Sequence, residues 1–147
     1  MKNHKKVIQY EQAATETGER LWHFFDYLLN GRSDIEDRLS EGGKDLFDAL
    51  LKQNRKTNLP IHWGGMKILQ GEYKAEGLWE WRFFSDGCQQ RVIGMFGEKR
   101  KQAIFLIGCY HKQKVYTPPN CLDTALLRAK AVRKGAPVRE RAIRENL

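Results

Sequence analysis

The residues of this chain with the clearest chemical potential lie in its second half: Arg91, His111, Lys112, Lys114 and Tyr116, with Arg82 just upstream. They stand on or beside the strand-like runs GLWEWRFF, CQQRVIGMF and AIFLIGCYHKQKVYTPP. Cations on a small sheet are costly unless something anionic meets them, so a phosphate-bearing partner is the first expectation. Arg91 falls in the middle of its run, where a guanidinium can fork onto a phosphate. His111 is the natural acid or base, because imidazole titrates near neutrality. Lys112 and Lys114 flank it and could stabilise charge, and Tyr116 could donate a proton or stack on a base. Each has a plainer alternative. His111 at a strand end could be an ordinary surface residue. Glu80 lies two residues from Arg82 on one strand face, the spacing of a structural ion pair.

Charge supports the anionic partner. The 147-residue chain carries a formal +8. Residues 1–88 hold 13 Lys and Arg against 14 Asp and Glu, whereas residues 89–147 hold 13 against 4. A basic C-terminal portion on a near-neutral N-terminal one fits nucleic acid, the ribosome or an acidic protein segment. The three cysteines, Cys88, Cys109 and Cys121, form no CxxC and no zinc pattern, so no metal or other cofactor is expected. Cys109 lies in an apolar run and reads as a small core hydrophobe. A reducing cytoplasm is the expected compartment. The start, MKNHKKVIQYEQ, lacks the apolar stretch of a signal peptide, and no run reaches the roughly 20 apolar residues of a membrane span, so no membrane partner is expected.

The elements that must position these residues follow from periodicity. Lys6 to Tyr10 is β-prone and gives a first strand. Thr15 to Leu29 reads as a helix, capped by Thr15 or Thr17, with Leu21, Phe24, Phe25 and Leu28 at helical spacing. Ser33 with Glu36 makes a capping box for a helix from Asp34. Gly42-Gly43 is expected to break it before an amphipathic helix from about Lys44 to Asn54. Asn58 to Gly65 is a loop, and Met66 to Leu69 a turn or strand entry. Residues 78–84 alternate, with Trp79, Trp81 and Phe83 on an apolar face that reads as core rather than as a platform for bases. Ser85-Asp86-Gly87 is a hairpin signal. Strands are expected over Gln90 to Phe96 and Gln102 to His111, the latter central. A helix follows Pro118-Pro119-Asn120 and stops at Gly135 and Pro137. Val138 to Leu147 reads as a charged tail, frayed or helical. The whole is one domain over 1–147, and helices followed by strands indicate an α+β fold.

The ordered motifs also carry a resemblance. Gly77-Leu78-Trp79-Glu80-x-Arg82, then Arg91-Val92, then a hydrophobic strand running into His111-Lys112-x-Lys114-x-x-Thr117-Pro118, then a helix with Ala125, is similar to the RelE/HigB-type toxin superfamily, most of all its phage-derived, HigB-like branch. The resemblance covers roughly Met66 to Ala131. It implies a RelE/ParE-like fold: an N-terminal strand and helices, then a twisted antiparallel sheet with helices on one face and a concave surface on the other, then a C-terminal helix. Here that plan would carry extra N-terminal helices and a basic tail from about 136. It further implies the toxin of a type II toxin–antitoxin pair, with a helix-turn-helix antitoxin as partner and mRNA on the ribosome as substrate. The reaction would be metal-independent attack of a ribose 2′-OH on the adjacent phosphate. On this reading Arg91, His111, Lys112, Lys114 and Tyr116 are catalytic candidates, all facing solvent, and Arg82, Lys99, Arg100, Lys101 and Arg128 contact RNA. The chain departs from the family in having Leu122 near the place where some members keep a catalytic tyrosine, and in ending RERAIRENL rather than in an Asp-Tyr-His cluster. Alternatives within the same fold are a ParE-like inhibitor that binds gyrase and a non-catalytic RNA- or protein-binding relative.

Overall fold

The computed structural model describes residues 21–57, 60, 63–112, 115–117 and 119–143, with 111, 112 and 115–117 as backbone only. The β4–β5 hairpin is the most locally determined part. Strand β4 (Trp79–Ser85) and strand β5 (Cys88–Phe96) pair antiparallel from Trp79↔Gly94 to Ser85↔Cys88. The connection is Asp86-Gly87, and both residues have positive φ (54° and 75°), as a type I′ turn requires. Strand β6 (Gln102–Lys112) continues the meander on β5. Strand β3 (Met66–Ile68) flanks β4 on its other edge.

Strand β1 (His23–Leu29) departs from the sequence expectation, which put these residues in a helix. It lies parallel to β6, with His23↔Gln102 through Asp26↔Phe105 in register. HFFDYLL satisfies helical spacing because its apolar residues are nearly continuous. That is also the signature of a strand buried on both faces, and the vacant edge of β6 decides the matter. The expected strand over Lys6 to Tyr10 and the caps Thr15 and Thr17 lie outside the described residues. Strands β2 (Arg32–Ser33) and β8 (Val138–Glu140) both pair antiparallel with β1, and β7 (Val115–Thr117) pairs with the end of β6. The result is an α+β fold built on an eight-stranded sheet in the order β2-β1-β6-β5-β4-β3, mixed rather than wholly antiparallel.

Helix α1 (Asp34–Arg38) starts as expected, with the Ser33 hydroxyl accepting from the Glu36 N–H. Helix α2 (Glu41–Asn54) runs straight through Gly42-Gly43. These glycines are not a break. They permit close approach to the hairpin: a Cβ on Gly43 would fall 2.0 Å from Gln90 Oε1. The Gly42 N–H donates to Asp86 and the Gly43 N–H to Ser40, whose hydroxyl also receives Gln90 Nε2 at 2.7 Å. The short helix α3 (Glu72–Ala75) was not foreseen, and α4 (Cys121–Arg133) falls where the sequence put it. Among the described residues no helix is long and apolar enough to cross a membrane.

Helices cover both faces of the sheet, not one. Ile35, Leu39, Phe47 and Leu51 of the α1–α2 side pack with Trp63, Trp79, Trp81, Phe83, Val92 and Phe105. Cys121, Ala125, Ala129 and Val132 of α4 pack with Leu78, Ile93, Met95, Ile104 and Leu106 on the other side. The first core is dominated by rings. Trp63 stacks on Trp81 at 4.9 Å, and Phe47 meets Phe105 edge-on at 4.9 Å. The aromatic face of β4 is therefore core, as the alternation implied.

The expected charged tail is instead structural through residue 141. The Arg141 N–H donates to the Phe24 carbonyl. Its guanidinium donates to Asp48 at 2.8 Å and to Asp26 at 2.9 Å, and lies 2.7 Å from the Glu36 carboxylate. Ser33 also donates to Asp26. A buried carboxylate is tolerable only with such partners, and Asp26 is pushed above the usual carboxylate range by burial, against the pull of Arg141 and Ser33.

Two stability outcomes follow. Trp81→Ala should cost roughly 3–5 kcal/mol, measured by urea unfolding, because it removes a fully buried ring; an unchanged midpoint would place that face in solvent. His23, at the start of β1, is lowered to about 2 by burial and by the charge of Arg55. The Glu140 carboxylate 4.0 Å away does not outweigh this, since burial raises Glu140 as well. The unfolded chain binds a proton at His23 below about pH 6.5 and the folded chain does not. Stability should fall on acidification from there, by up to about 1.4 kcal/mol per pH unit. His23→Asn should lose that part of the acid dependence between pH 7.5 and 5. An equal loss in both proteins would mean that His23 is protonated in the folded state.

Candidate functional site

The hairpin turn sets the geometry of the candidate site. Counting outward from Asp86-Gly87 brings Arg82 directly opposite Arg91. Two like charges in facing positions repel, and Glu80 resolves the conflict. Its carboxylate, almost fully buried, takes Arg82 Nε on Oε1 at 2.8 Å and Arg91 Nη1 on Oε2 at 2.9 Å. The ion pair expected between Glu80 and Arg82 is present, and Arg91 joins it. The Arg91 side chain is only 10% exposed, which corrects the expectation that it faces solvent. Arg82 is 38% exposed and is the accessible cation of the group. One carboxylate and two guanidinium groups leave a net positive cluster.

The next strand adds two register positions. Cys109 of β6 lies directly across from Arg91, and His111 lies across from Gln89 on one side and Tyr116 of β7 on the other. Arg82 and Arg91 share one row, and His111 and Tyr116 fall two rows further toward the same end of the sheet. Lys112 pairs with Val115 one row further, and Lys114 lies outside the described residues. Among the described residues no cluster of three or more His, Cys, Asp or Glu could hold a metal ion.

The RNA-binding candidates divide. Lys99 and Arg100 are exposed in the β5–β6 turn, at the end of β5 away from Arg91. At about 3.3 Å per strand residue this is well over 15 Å from the arginine pair. Lys101 shares that turn but is buried, at a left-handed backbone position (φ 61°), and its carbonyl accepts the His23 N–H. Arg128 is buried too. It donates to the Leu106 carbonyl at 2.8 Å, lies 3.3 Å from Asp34, and stacks over Tyr27 at 4.9 Å. Lys101 and Arg128 are therefore structural cations rather than surface contacts. Basic residues near a helix end or a turn look alike in sequence whether their partner is a ligand or a carboxylate 94 residues away, as Asp34 is from Arg128.

Two further residues went unrecognised as part of this cluster. Glu80 as the bridge to Arg91 was legible from the turn, since fixing Asp86-Gly87 places Glu80 diagonal to Arg91. Cys121 was not, because nothing local brings the start of α4 against Cys109. No family model, no curated protein and no solved structure matches this chain.

Removing Arg91 leaves the buried Glu80 Oε2 without its guanidinium partner, only Oε1 being held by the partly exposed Arg82. Arg91→Ala should therefore destabilise the fold by about 3–5 kcal/mol in urea unfolding. Arg82→Ala should cost far less, because its side chain is partly solvated and Glu80 retains Arg91. Equal, small effects would show that Glu80 finds water in place of Arg91.

Proposed function

We propose that the protein is the toxin of a toxin–antitoxin pair and cuts mRNA on the ribosome without a metal. The observation that carries this reading is the placement of Arg82, Arg91, His111 and Tyr116 within two register rows of one another at one end of β4, β5, β6 and β7. These residues are far apart in sequence, and together they supply what phosphodiester cleavage by a neighbouring 2′-OH requires. Arg82 meets the phosphate and stabilises the charge that develops on it. Glu80 and Arg91 hold Arg82 in place. His111 moves the proton. The exposed turn cations Lys99 and Arg100, at the other end of β5, offer a second contact for the RNA backbone. The antitoxin partner and a cytoplasmic setting belong to the same reading.

A second reading, a non-catalytic RNA- or protein-binding relative, draws on the burial of Arg91, since a guanidinium bound to an internal carboxylate is occupied with structure.

Induced expression in a bacterial host, with primer extension on cellular mRNA, separates the two. The toxin reading expects growth arrest, relieved by the protein encoded next door, and ribosome-dependent cuts. Arg82→Ala and His111→Ala should each lower cutting by about 10²–10³ while the fold is retained. Normal growth and intact mRNA at high soluble expression would remove the toxin reading. RNA binding without cuts would support the second. Loss of gyrase supercoiling in vitro, with mRNA intact, would instead identify a gyrase inhibitor.

A further inference from the structure

The face of β4 that carries Glu80 and Arg82 passes from core to solvent within one strand. Leu78 and Glu80 are buried, the Arg82 side chain is 38% exposed, and Phe84 is 66% exposed. Phe83, its neighbour on the opposite face, is buried in the aromatic core. Helix α4 packs over β5 and β6, and the hairpin end of this face is left to solvent. A single exposed apolar side chain is ordinary on a protein surface. The surroundings of this one are more particular. Arg82 stands two residues away on the same face, about 7 Å along the strand. Behind it, Glu80 and Arg91 complete a cluster of net positive charge. Directly across from Phe84 is Gln89, half-buried, whose amide can both donate and accept. The same row continues to His111 of β6 and Tyr116 of β7. A flat ring, a guanidinium and an amide on one open face answer the three parts of an unpaired nucleotide: base plane, phosphate and base edge. A docked protein segment would instead call for a continuous apolar patch, and here the ring is bordered by Arg82 and Gln89.

We propose that Phe84 is a base-stacking residue: one unpaired base of single-stranded RNA lies on its ring, with a phosphate of the same strand on Arg82 and the base edge within reach of Gln89. Every base has a π-face, so the contact supplies affinity and register rather than sequence selection. Phe84 is two strands from His111 within their shared row, about 10 Å at ordinary strand spacing. The stacked base therefore belongs to a nucleotide beside the scissile link, and anchoring it brings the phosphate of that link to Arg82. This role deepens the reading of the sheet end as an RNA site and rests on that reading.

The test is fluorescence anisotropy of the full-length protein at low salt, with a labelled single-stranded RNA of mixed sequence and with the same sugar–phosphate strand lacking its bases. The wild type should bind the base-bearing strand more tightly. Phe84→Leu should weaken that binding roughly 5- to 150-fold, the worth of one stacked base, and leave the abasic strand and the urea midpoint unchanged. Phe84→Trp should retain the affinity. Arg82→Ala should weaken both strands, because it removes a phosphate contact. Equal binding of RNA by the wild type and Phe84→Leu would overturn the stacking role, as would equal losses on both strands or no binding of RNA by the wild type. A midpoint lowered by Phe84→Leu would show a packed ring and overturn it too. Primer extension keeps the cleavage reading separate. Ribosome-dependent cuts made equally by the wild type and Phe84→Leu would leave cleavage standing and remove stacking, and base-dependent binding without cuts would do the reverse.

Discussion

The central strand β6 has an edge that no strand fully covers, and the fold depends on how that edge is satisfied. Strand β1 pairs with β6 as far as Phe105, and β7 takes over only at Tyr110. Between them, backbone groups in the middle of the protein would be left without partners, at a cost the structure cannot carry. Two charged side chains fill the interval. Asp34 accepts the Gly108 N–H at 3.2 Å, and Arg128 donates to the Leu106 carbonyl. They also pair with each other at 3.3 Å, so neither charge is buried alone.

This arrangement ties the layers together. Asp34 opens α1 on one face and Arg128 belongs to α4 on the other, so the helices that clamp the sheet meet through its gap. The register of β6 on β5 shifts at the same place: Ile93 pairs with Ile107 but Gly94 with Phe105, leaving Leu106 as the extra residue of a bulge. Leu106 and Ile107 both enter the α4-side core. A bulge beside an unpaired edge is a common way to end one pairing and begin another. It is also what puts Cys109 in line with Arg91 and with the start of α4.

The parts of the fold that could be read from the sequence are those whose information is local. Ser33 caps its helix, Asp86-Gly87 turns its hairpin, and Trp79, Trp81 and Phe83 alternate because one face of β4 is buried. What was missed depends on distant partners. His23 to Leu29 became a strand because β6 offers an edge about 80 residues on. Val138 to Glu140 became one because β1 offers another. The candidate site was partly legible for the same reason. Its residue types and the facing of Arg82 and Arg91 follow from a short turn. The burial of Arg91 goes with its bond to Glu80, and Arg128 and Lys101 are occupied by partners that no spacing reveals.

The Arg141 knot has a consequence for how the chain is made. Asp26, Asp48 and Glu36 all emerge from the ribosome long before the guanidinium that neutralises them. During synthesis at about 5–20 residues per second, those carboxylates spend several seconds with no arginine to meet. Beyond its short hairpin with β2, strand β1 has no parallel neighbour until β6 follows, and Phe25 to Tyr27 have no antiparallel neighbour until β8 arrives. The nascent chain can close its hairpins early, but most of β1 must wait for β6, and its outer edge for β8. Completion of the fold thus waits for Arg141, and a polypeptide stalled short of it would expose an apolar strand flanked by unbalanced negative charge, a form suited to capture by chaperones or proteases.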